Sequence, residues 1–197
     1  MTRIVAGKAG GRRLRVPPAG TRPTSDRVRE AMFSAIGARL DLDGARVLDL
    51  YAGSGAFALE ALSRGAAAAL LVESDRKAAA VIRGNIAGLA LPGARLRVGS
   101  VAPVLAGGGA GEFDLVFSDP PYDVTTEAVI ADLTALAAHG WLASGALIVV
   151  ERSSRSLEID WPTGFLGEKP RRYGETRIEL AEFTGTSEGV DHRPASV

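Results

Sequence analysis

Two short segments of the chain combine a carboxylate with residues that constrain the backbone. The first reads D-L-Y-A-G-S-G at residues 49–55, and the second reads D-P-P-Y at residues 119–122. Each follows an apolar run that is typical of a buried strand, and each precedes a helical pattern. In an open α/β sheet, loops that follow strands lie at the carboxyl edge, where ligands bind. The sequence therefore predicts one site that contains both segments.

The glycine loop has the spacing G-x-G-x-x-A, which dinucleotide-binding loops share and which is weak evidence by itself. Asp49 disfavours a dinucleotide, because a carboxylate at this turn would repel a pyrophosphate. An acid there suits S-adenosylmethionine, which carries an ammonium and a sulfonium group and no phosphate. Glu73 ends the next strand, where a carboxylate can accept hydrogen bonds from ribose hydroxyls. We therefore predict S-adenosylmethionine as the cofactor.

The D-P-P-Y segment fits methyl transfer to a planar amino group. An amine conjugated to a ring is a poor nucleophile, because its lone pair is delocalised. A carboxylate and a backbone carbonyl can accept its two N–H bonds and draw the nitrogen toward a tetrahedral shape. The prolines fix φ and hold that carbonyl rigidly, and the tyrosine can stack on a target base. Without any metal or covalent intermediate, the predicted catalytic residues are Asp119, Pro120, Pro121 and Tyr122.

An alternation of strand and helix patterns must position these loops. Strands are predicted at residues 46–50, 68–73, 95–98, 113–118 and 146–151, and a last strand at 173–183. Helices are predicted at residues 56–64, 75–88 with Ser74 as the cap, 101–105 and 126–138. This alternation indicates an α/β fold whose mostly parallel sheet carries helices on both faces. Residues 3–7 and 12–16 predict a small β-hairpin ahead of a helix that Thr24, Ser25 and Asp26 begin.

Length and composition restrict the number of domains and the kinds of chemistry that the chain can contain. The chain has 197 residues, 46% hydrophobic and 23% charged, which suits one domain with a modest extension. It has no cysteine, which excludes a disulfide framework, a thiolate zinc site and a cysteine nucleophile. It shows no signal-peptide pattern and no apolar run of about 18 residues, so we expect a cytoplasmic protein without a membrane span. We also expect a monomer.

The basic residues are concentrated at the beginning of the chain. The net charge is zero, yet residues 1–23 contain six basic residues and no acidic one. Such asymmetry indicates a basic arm that meets a polyanion, and charge alone fits a solvated terminal segment equally well. The predicted divisions are therefore a hairpin arm at 1–23, the main domain at 24–183 and a disordered tail at 184–197.

Several segments together resemble the RsmD family, bacterial 16S rRNA guanine-N2 methyltransferases. They are R-I-V-A-G-K at residues 3–8, G-R-R-L at 11–14, R-P-T-S-D-R-V-R-E-A-M-F at 22–33, L-E-A-L-S-R-G-A at 59–66 and Y-G-E-T at 173–176. The resemblance implies a class I methyltransferase (Rossmann-like) fold with seven strands, the last antiparallel. It also implies methyl transfer to a guanine N2 of 16S rRNA, within a partly assembled small ribosomal subunit.

The same resemblance implies roles for individual residues. After the third strand such enzymes usually offer Asp or Asn to the adenine amine, whereas this chain has a serine followed by a valine. The serine makes a weaker contact, and the valine N–H can still bond an adenine nitrogen. The implied cofactor residues are Asp49, Tyr51, Ala52, Gly53, Ser54, Gly55, Glu73, Ser74, Ser100 and Val101. The implied RNA-binding residues are Arg3, Lys8, Arg12, Arg13, Arg15, Arg22, Thr24 and Arg27.

Three other interpretations stay open at this point. The same fold could methylate an amino group in DNA or protein, but those enzymes more often carry N-P-P-Y, and DNA enzymes usually have a separate recognition domain. An NAD-dependent oxidoreductase is disfavoured by Asp49. A non-catalytic RNA-binding assembly factor would have no need of an intact D-P-P-Y segment. Replacing Asp119 with Ala separates these interpretations, because only an enzyme would lose transfer while it keeps RNA binding.

Overall fold

The computed structural model describes residues 2–17, 25–109 and 111–185. Its strands are β1 (Thr2–Arg3), β2 (Arg13–Leu14), β3 (Arg46–Leu50), β4 (Ala68–Glu73), β5 (Ala94–Val98), β6 (Phe113–Ser118), β7 (Leu142–Ser153), β8 (Phe165–Gly167), β9 (Arg171–Tyr173) and β10 (Thr176–Phe183). Its helices are α1 (Asp26–Gly37), α2 (Ala56–Ser63), α3 (Arg76–Leu89), α4 (Val101–Ala106) and α5 (Thr126–Ala138).

The main sheet has the strand order β5-β4-β3-β6-β7-β10-β8. Strands β5, β4, β3, β6 and β7 are parallel, and β10 runs antiparallel to β7. From β3 the chain first builds outward to β5 and then returns to build β6 and β7 on the other side. The strand order therefore reverses between β3 and β6, which is where open α/β sheets bind ligands. The α/β prediction is confirmed.

The far edge of the sheet is more divided than the sequence predicted. The expected strand at 173–183 is two strands, because Gly174 has a φ of +63° and turns the chain between β9 and β10. Both β8 and β9 pair with β10. The implied seven strands are thus found along the main path, and β9 adds a short eighth.

The two faces of the sheet carry separate apolar clusters. Because side chains alternate along a strand, neighbouring residues of β6 point to opposite faces. Phe117 joins the cluster under α1 and α2, where its ring centroid lies 5.6 Å from that of Phe33 and 5.0 Å from that of Phe57. Val116 joins the cluster under α4 and α5, which contains the fully buried Trp141. The sheet is therefore covered on both sides and its strands are held rigidly.

Side-chain caps set the beginnings of three helices. Ser25 caps α1 and Thr125 caps α5, each accepting the N–H of the residue three positions later. The predicted cap of α3, Ser74, is wrong: Asp75 accepts the N–H of Ala78 at 2.7 Å, and the helix begins one residue later than expected. The backbone at Asp75 is extended, as an N-cap requires. Ser74 is thereby left at the end of β4.

The basic hairpin packs into the body of the protein. Its Ile4, Ala9 and Leu14 are buried in the same cluster as the α2 residues. The ladder is shorter than predicted, since the N–H groups of Val5 and Ala6 donate to the carboxylate of Glu60 on α2 at 2.6 and 3.0 Å. The division at residue 23 stays a prediction, but the hairpin shares its core with the sheet.

Some expectations concern other parts of the chain. Arg22 and Thr24 lie outside the described residues, as does the predicted tail beyond residue 185. Within the described ranges no helix combines the length and the apolar character that crossing a bilayer demands.

Candidate active site

A cleft of about 310 Å³ opens at the carboxyl edge of the sheet, at the switch between β3 and β6. The glycine loop forms one wall and the D-P-P-Y loop forms another, so the structure brings the two predicted segments together. The predicted residues that line the cleft are Tyr51, Ala52, Gly53, Ser54, Glu73, Ser74, Asp119, Pro120, Pro121 and Tyr122.

Glu73 organises the glycine loop from the end of β4. One carboxylate oxygen accepts the N–H of Gly53 at 2.8 Å, and the other accepts the N–H of Asp75 at 2.7 Å. Gly53 has a φ of +58°, and a Cβ built there would meet only a backbone oxygen at 3.9 Å. The loop backbone therefore faces open space beside a fixed carboxylate, a cradle that leaves room for a ligand to approach closely.

Gly55 has a different role, because it packs away from the cleft and is absent from its lining. Its φ is +78°, and a Cβ built there would lie 2.8 Å from Leu71 Cδ2 and 3.3 Å from Leu59 Cδ1. This glycine lets the loop lie directly on β4 and α2. In the structure Gly55 supports the loop from behind, and its cofactor contact stays a prediction.

We expect Gly55→Ala to lower the free energy of unfolding by about 1–3 kcal/mol, through left-handed strain and overpacking. The displaced loop should also weaken binding of S-adenosylmethionine, measured by calorimetry. Gly37→Ala is the matched control, since a Cβ there meets nothing within 4 Å and Ala favours the helix. Equal stability and affinity in the two variants would contradict this role for Gly55.

Asp49 lies beneath the loop, fully buried and outside the cleft lining. Its Oδ2 accepts the N–H of Ala58 at 3.1 Å, which caps α2 where Gly55 offers no side chain. Its Oδ1 has no hydrogen-bond partner in the described part of the chain. Burial raises the pKa of Asp49 to about 8, with the carboxylate of Glu73 adding to the rise. Asp49 thus supports the loop from below, and its direct contact with a cationic cofactor stays a prediction.

Ser100 and Val101 also lie outside the cleft lining. They follow β5, which is two strands away from the switch point, and the N–H of Gly99 donates to the Glu73 carbonyl at 2.9 Å. The exposed Ser100 begins α4 without a side-chain cap bond, whereas Val101 is buried in the α4–α5 cluster. Their contacts with an adenine stay predictions.

The D-P-P-Y loop leaves β6 at the cleft. Pro120 is buried, while the side chain of Tyr122 is 73% exposed and free to meet a partner. The N–H of Val124 donates to the Pro121 carbonyl at 3.0 Å and closes the turn. Burial raises the pKa of Asp119 well above its ordinary value, and the nearby carboxylates of Glu151 and Asp49 raise it further.

Arg152 near the end of β7 is a lining residue that sequence reasoning missed. Its Nη1 donates to the carbonyl of Val124 at 2.9 Å and so fixes the segment that follows D-P-P-Y. On the other loop, Tyr51 has a φ of +59°, rare for a residue with a side chain, and its hydroxyl donates to Asp132 at 2.6 Å. Hence α5 and β7 brace both walls of the cleft. Strain held at a cleft in this way is typical of functional sites.

Two more lining residues were missed, Arg29 and Glu151. The Arg29 side chain is only 1% exposed, and its Nη2 donates to Asp26 at 2.7 Å and to the Arg3 carbonyl. Nothing in the sequence distinguishes it from Arg27, the other arginine of α1. Glu151 ends the apolar run 146–150 within β7, as Glu73 ends the apolar run of β4, and this shared position near the carboxyl edge is the signal that could have identified it.

The polar lining of the cleft is acidic on balance. A bound cation would favour the ionised form of its carboxyl groups, whereas a pyrophosphate would be repelled. The fit is therefore to a ligand with positive charge, and S-adenosylmethionine meets that condition better than a dinucleotide. Across the described residues no cluster of three or more His, Asp or Glu could hold a metal ion. The charged lining residues are Glu73, Asp75, Asp119, Glu151, Arg29 and Arg152.

The predicted RNA-binding residues have differing surroundings. The side chain of Arg12 donates from Nη1 to the Leu89 carbonyl at 3.1 Å and from Nη2 to the Gly88 carbonyl, so it secures the end of α3, and its contact with RNA stays a prediction. Arg3 pairs with Asp26 at 3.1 Å but stays largely exposed. The other described members of the set are exposed: Lys8, Arg13, Arg15 and Arg27.

Sequence comparison finds relatives that are named as rRNA methyltransferases, which agrees with the geometry of the cleft. The chain is 43% identical over 150 residues to Ribosomal RNA small subunit methyltransferase D of Escherichia coli (strain K12), covering 76% of this chain and 73% of that protein. It is 34% identical over 188 residues to Putative rRNA methyltransferase YlbH of Bacillus subtilis (strain 168), covering 93% and 100%.

Structural comparison leads to the same group of proteins. The solved structure of the putative methyltransferase yhhF from Escherichia coli matches with a TM-score of 0.80 at 35% identity, covering 93% of this chain and 98% of that one. The fold is that of the class I methyltransferases. Residues 2–182 match the family model described as Conserved hypothetical protein 95. The chain therefore belongs to this family, the RsmD family that its sequence motifs resemble.

Proposed function

We propose that this protein transfers a methyl group from S-adenosylmethionine to the exocyclic N2 of a guanine in 16S rRNA. The observation that carries the proposal is the convergence of the glycine loop and the D-P-P-Y loop on one cleft at the switch point. The names of the relatives, ribosomal RNA small subunit methyltransferases, support RNA of the small subunit as the substrate.

The residues of the cleft promote methyl transfer mainly by positioning the target amine. The Asp119 carboxylate accepts an N–H of the target amine, and a carbonyl of the adjacent prolines accepts the other. Both acceptors are held rigidly, because Pro120 is buried and Arg152 fixes the end of the loop. Tyr122 projects into solvent at the mouth and stacks on the incoming base. This geometry exposes the amine lone pair, and a strong base is unnecessary since the proton can leave after transfer.

The other wall of the cleft suits the cofactor. Glu73 accepts hydrogen bonds from ribose hydroxyls, the open backbone at Gly53 admits close approach, and the buried cation of Arg29 suits a carboxylate. When bound, S-adenosylmethionine supplies a methyl group that its sulfonium already activates. The fit of S-adenosylmethionine to the cleft rests on the acidic lining and on the open backbone at Gly53.

RNA reaches the cleft along the basic hairpin. Lys8 and Arg13 are exposed on it, and Arg27 is exposed on the first turn of α1. Because phosphate contacts supply most of the affinity for RNA, these residues would position the substrate while the cleft selects the base.

The proposal includes the small subunit or an assembly intermediate as partner, a cytoplasmic location and a monomeric enzyme. Light scattering checks the last of these.

We expect Arg13→Ala to weaken binding of small subunits and to reduce the slope of log affinity against log salt by about 1. Arg95→Ala, which removes an exposed arginine from β5, is the matched control. Arg12→Ala should instead lower thermal stability, because its guanidinium holds α3. Filter binding over a salt series measures all three. An unchanged slope for Arg13→Ala would make the hairpin a structural element alone.

The test of the function is transfer of labelled methyl groups to small subunits from cells that lack this enzyme. Nucleoside analysis then locates the label. Label in N2-methylguanosine is the expected result. Label in another nucleoside would keep the mechanism and overturn the target, and binding of S-adenosylmethionine without any label would point to DNA or protein as acceptor. Failure to bind the cofactor would favour an assembly factor.

A further inference from the structure

Glu151 and Asp119 occupy equivalent places on neighbouring strands. In the pairing of β6 with β7, Ser118 lies opposite Val150, so Asp119, which follows β6, comes to lie beside Glu151, which is still within β7 and pairs with Ile178 of β10. Both line the cleft, and the charge of Glu151 contributes to the raised pKa of Asp119. Two carboxyl groups thus share the end of the cleft where the target base is expected.

Like charges placed together destabilise a fold, so a pair of carboxyl groups in a cleft invites a ligand with matching donors. Guanine presents two kinds of donor on one edge, the N1–H and the neighbouring N2 amino group. Adenine and cytosine instead present a ring nitrogen that accepts a hydrogen bond beside the amino group. A second carboxylate next to Asp119 would bond the guanine N1–H and would repel the lone pair of the other bases.

We propose that Glu151 accepts the N1–H of the target guanine while Asp119 accepts an N–H of its N2 amino group. Glu151 is then the residue that selects guanine. The inference rests on the proposed function, because it assigns the base-recognition contact of the same site. It differs from a purely structural role for Glu151, which would affect stability or cofactor binding without altering the choice of base.

The wild-type enzyme permits a test without any mutation of the protein. Small subunits are reconstituted with 16S rRNA in which the target guanine is replaced by 2-aminopurine, which keeps the 2-amino group but has an acceptor at N1. We expect kcat/KM to fall by about 10- to 100-fold relative to guanine, as for loss of a hydrogen bond to a charged group. Equal rates on the two substrates would overturn the proposal.

The variant Glu151→Gln completes a cycle with the two substrates. Its amide can turn either a carbonyl or an NH2 group toward N1, so the guanine preference should shrink to about 3-fold or less, through a lower rate on guanine. The ratio of kcat/KM for the two substrates is compared between the wild type and the variant. Effects on the rate that come from the missing O6 and the altered amine of 2-aminopurine are the same in both enzymes and cancel. Glu182→Gln is the matched control, an exposed glutamate on β10 that should keep the full preference.

Two measurements separate this inference from the proposed function. Calorimetric affinity for S-adenosylhomocysteine should be unchanged in Glu151→Gln, and the unfolding temperature should not fall, because the substitution removes one of two like charges. If the variant loses activity but keeps the wild-type ratio between the two substrates, Glu151 does not read N1 and the inference is wrong. If the wild-type enzyme leaves guanine N2 in small subunits unmethylated, the proposed function itself fails.

Discussion

Replacing Asp119 with Ala should lower kcat/KM for methyl transfer by about 10²- to 10⁴-fold, the range for loss of a positioned proton-accepting group. Binding of RNA and of S-adenosylmethionine should be nearly unchanged, because the exposed basic residues supply the phosphate contacts and the glycine loop forms the cofactor wall. A filter-based transfer assay with small subunits measures the rate, and filter binding and calorimetry measure the affinities.

Two further variants sharpen this prediction. Asp119→Asn keeps an oxygen that can accept an N–H, so we expect it to retain more activity than Asp119→Ala. Asp123→Ala removes an exposed carboxylate next to the loop and outside the cleft lining, and it should behave as wild type. If Asp119→Ala transferred methyl groups at the wild-type rate, the D-P-P-Y loop would be a structural turn.

The same carboxyl group should make the rate depend on pH. Asp119 must be ionised to accept an N–H, and its pKa is raised by burial and by Glu151 and Asp49. Activity is therefore present above the raised pKa and lost as the pH falls through it, at a higher pH than an ordinary aspartate would show. Asp119→Asn should lose this acidic limb in a profile of single-turnover rates. An identical limb in that variant would assign it to another group.

Replacing Glu60 with Ala should lower the free energy of unfolding by about 3–5 kcal/mol, as expected when one partner of a buried ionic network is removed. The fully buried carboxylate accepts the N–H groups of Val5 and Ala6, and it accepts a hydrogen bond from Arg64 Nε at 2.8 Å. Its loss leaves these donors unpaired and removes one of the two carboxylates that neutralise the buried Arg29 side chain, the other being Asp26. Urea unfolding followed by circular dichroism measures the change.

Glu60→Ala should also lower the affinity for RNA, because the hydrogen bonds of Glu60 connect the basic hairpin to α2. We expect weaker RNA binding even at temperatures where the sheet is folded. Glu30→Ala is the matched control, since this glutamate is exposed on α1. A change in unfolding free energy below about 1 kcal/mol, the range of surface substitutions, would contradict the prediction.

The sequence by itself determined the order of the elements and the two loops of the cleft. Strand and helix periodicities differ along 46–151, and local turn chemistry marks the loop ends, so both signals are readable within a short window. Because parallel strands bring their carboxyl ends to one edge, the meeting of the glycine loop with D-P-P-Y also follows from local pattern.

Only the tertiary structure decided which side chains face the cleft. Asp49 stands in the glycine motif, yet it turns beneath the loop to cap α2, and burial raises its pKa. The sequence predicts Arg12 to be a free cation of the basic arm, but its guanidinium donates to the carbonyls of Gly88 and Leu89, which are distant in the sequence. Glu151 meets Asp119 only through the register of β6 and β7. Such partners are set by packing between distant segments, which no local pattern records.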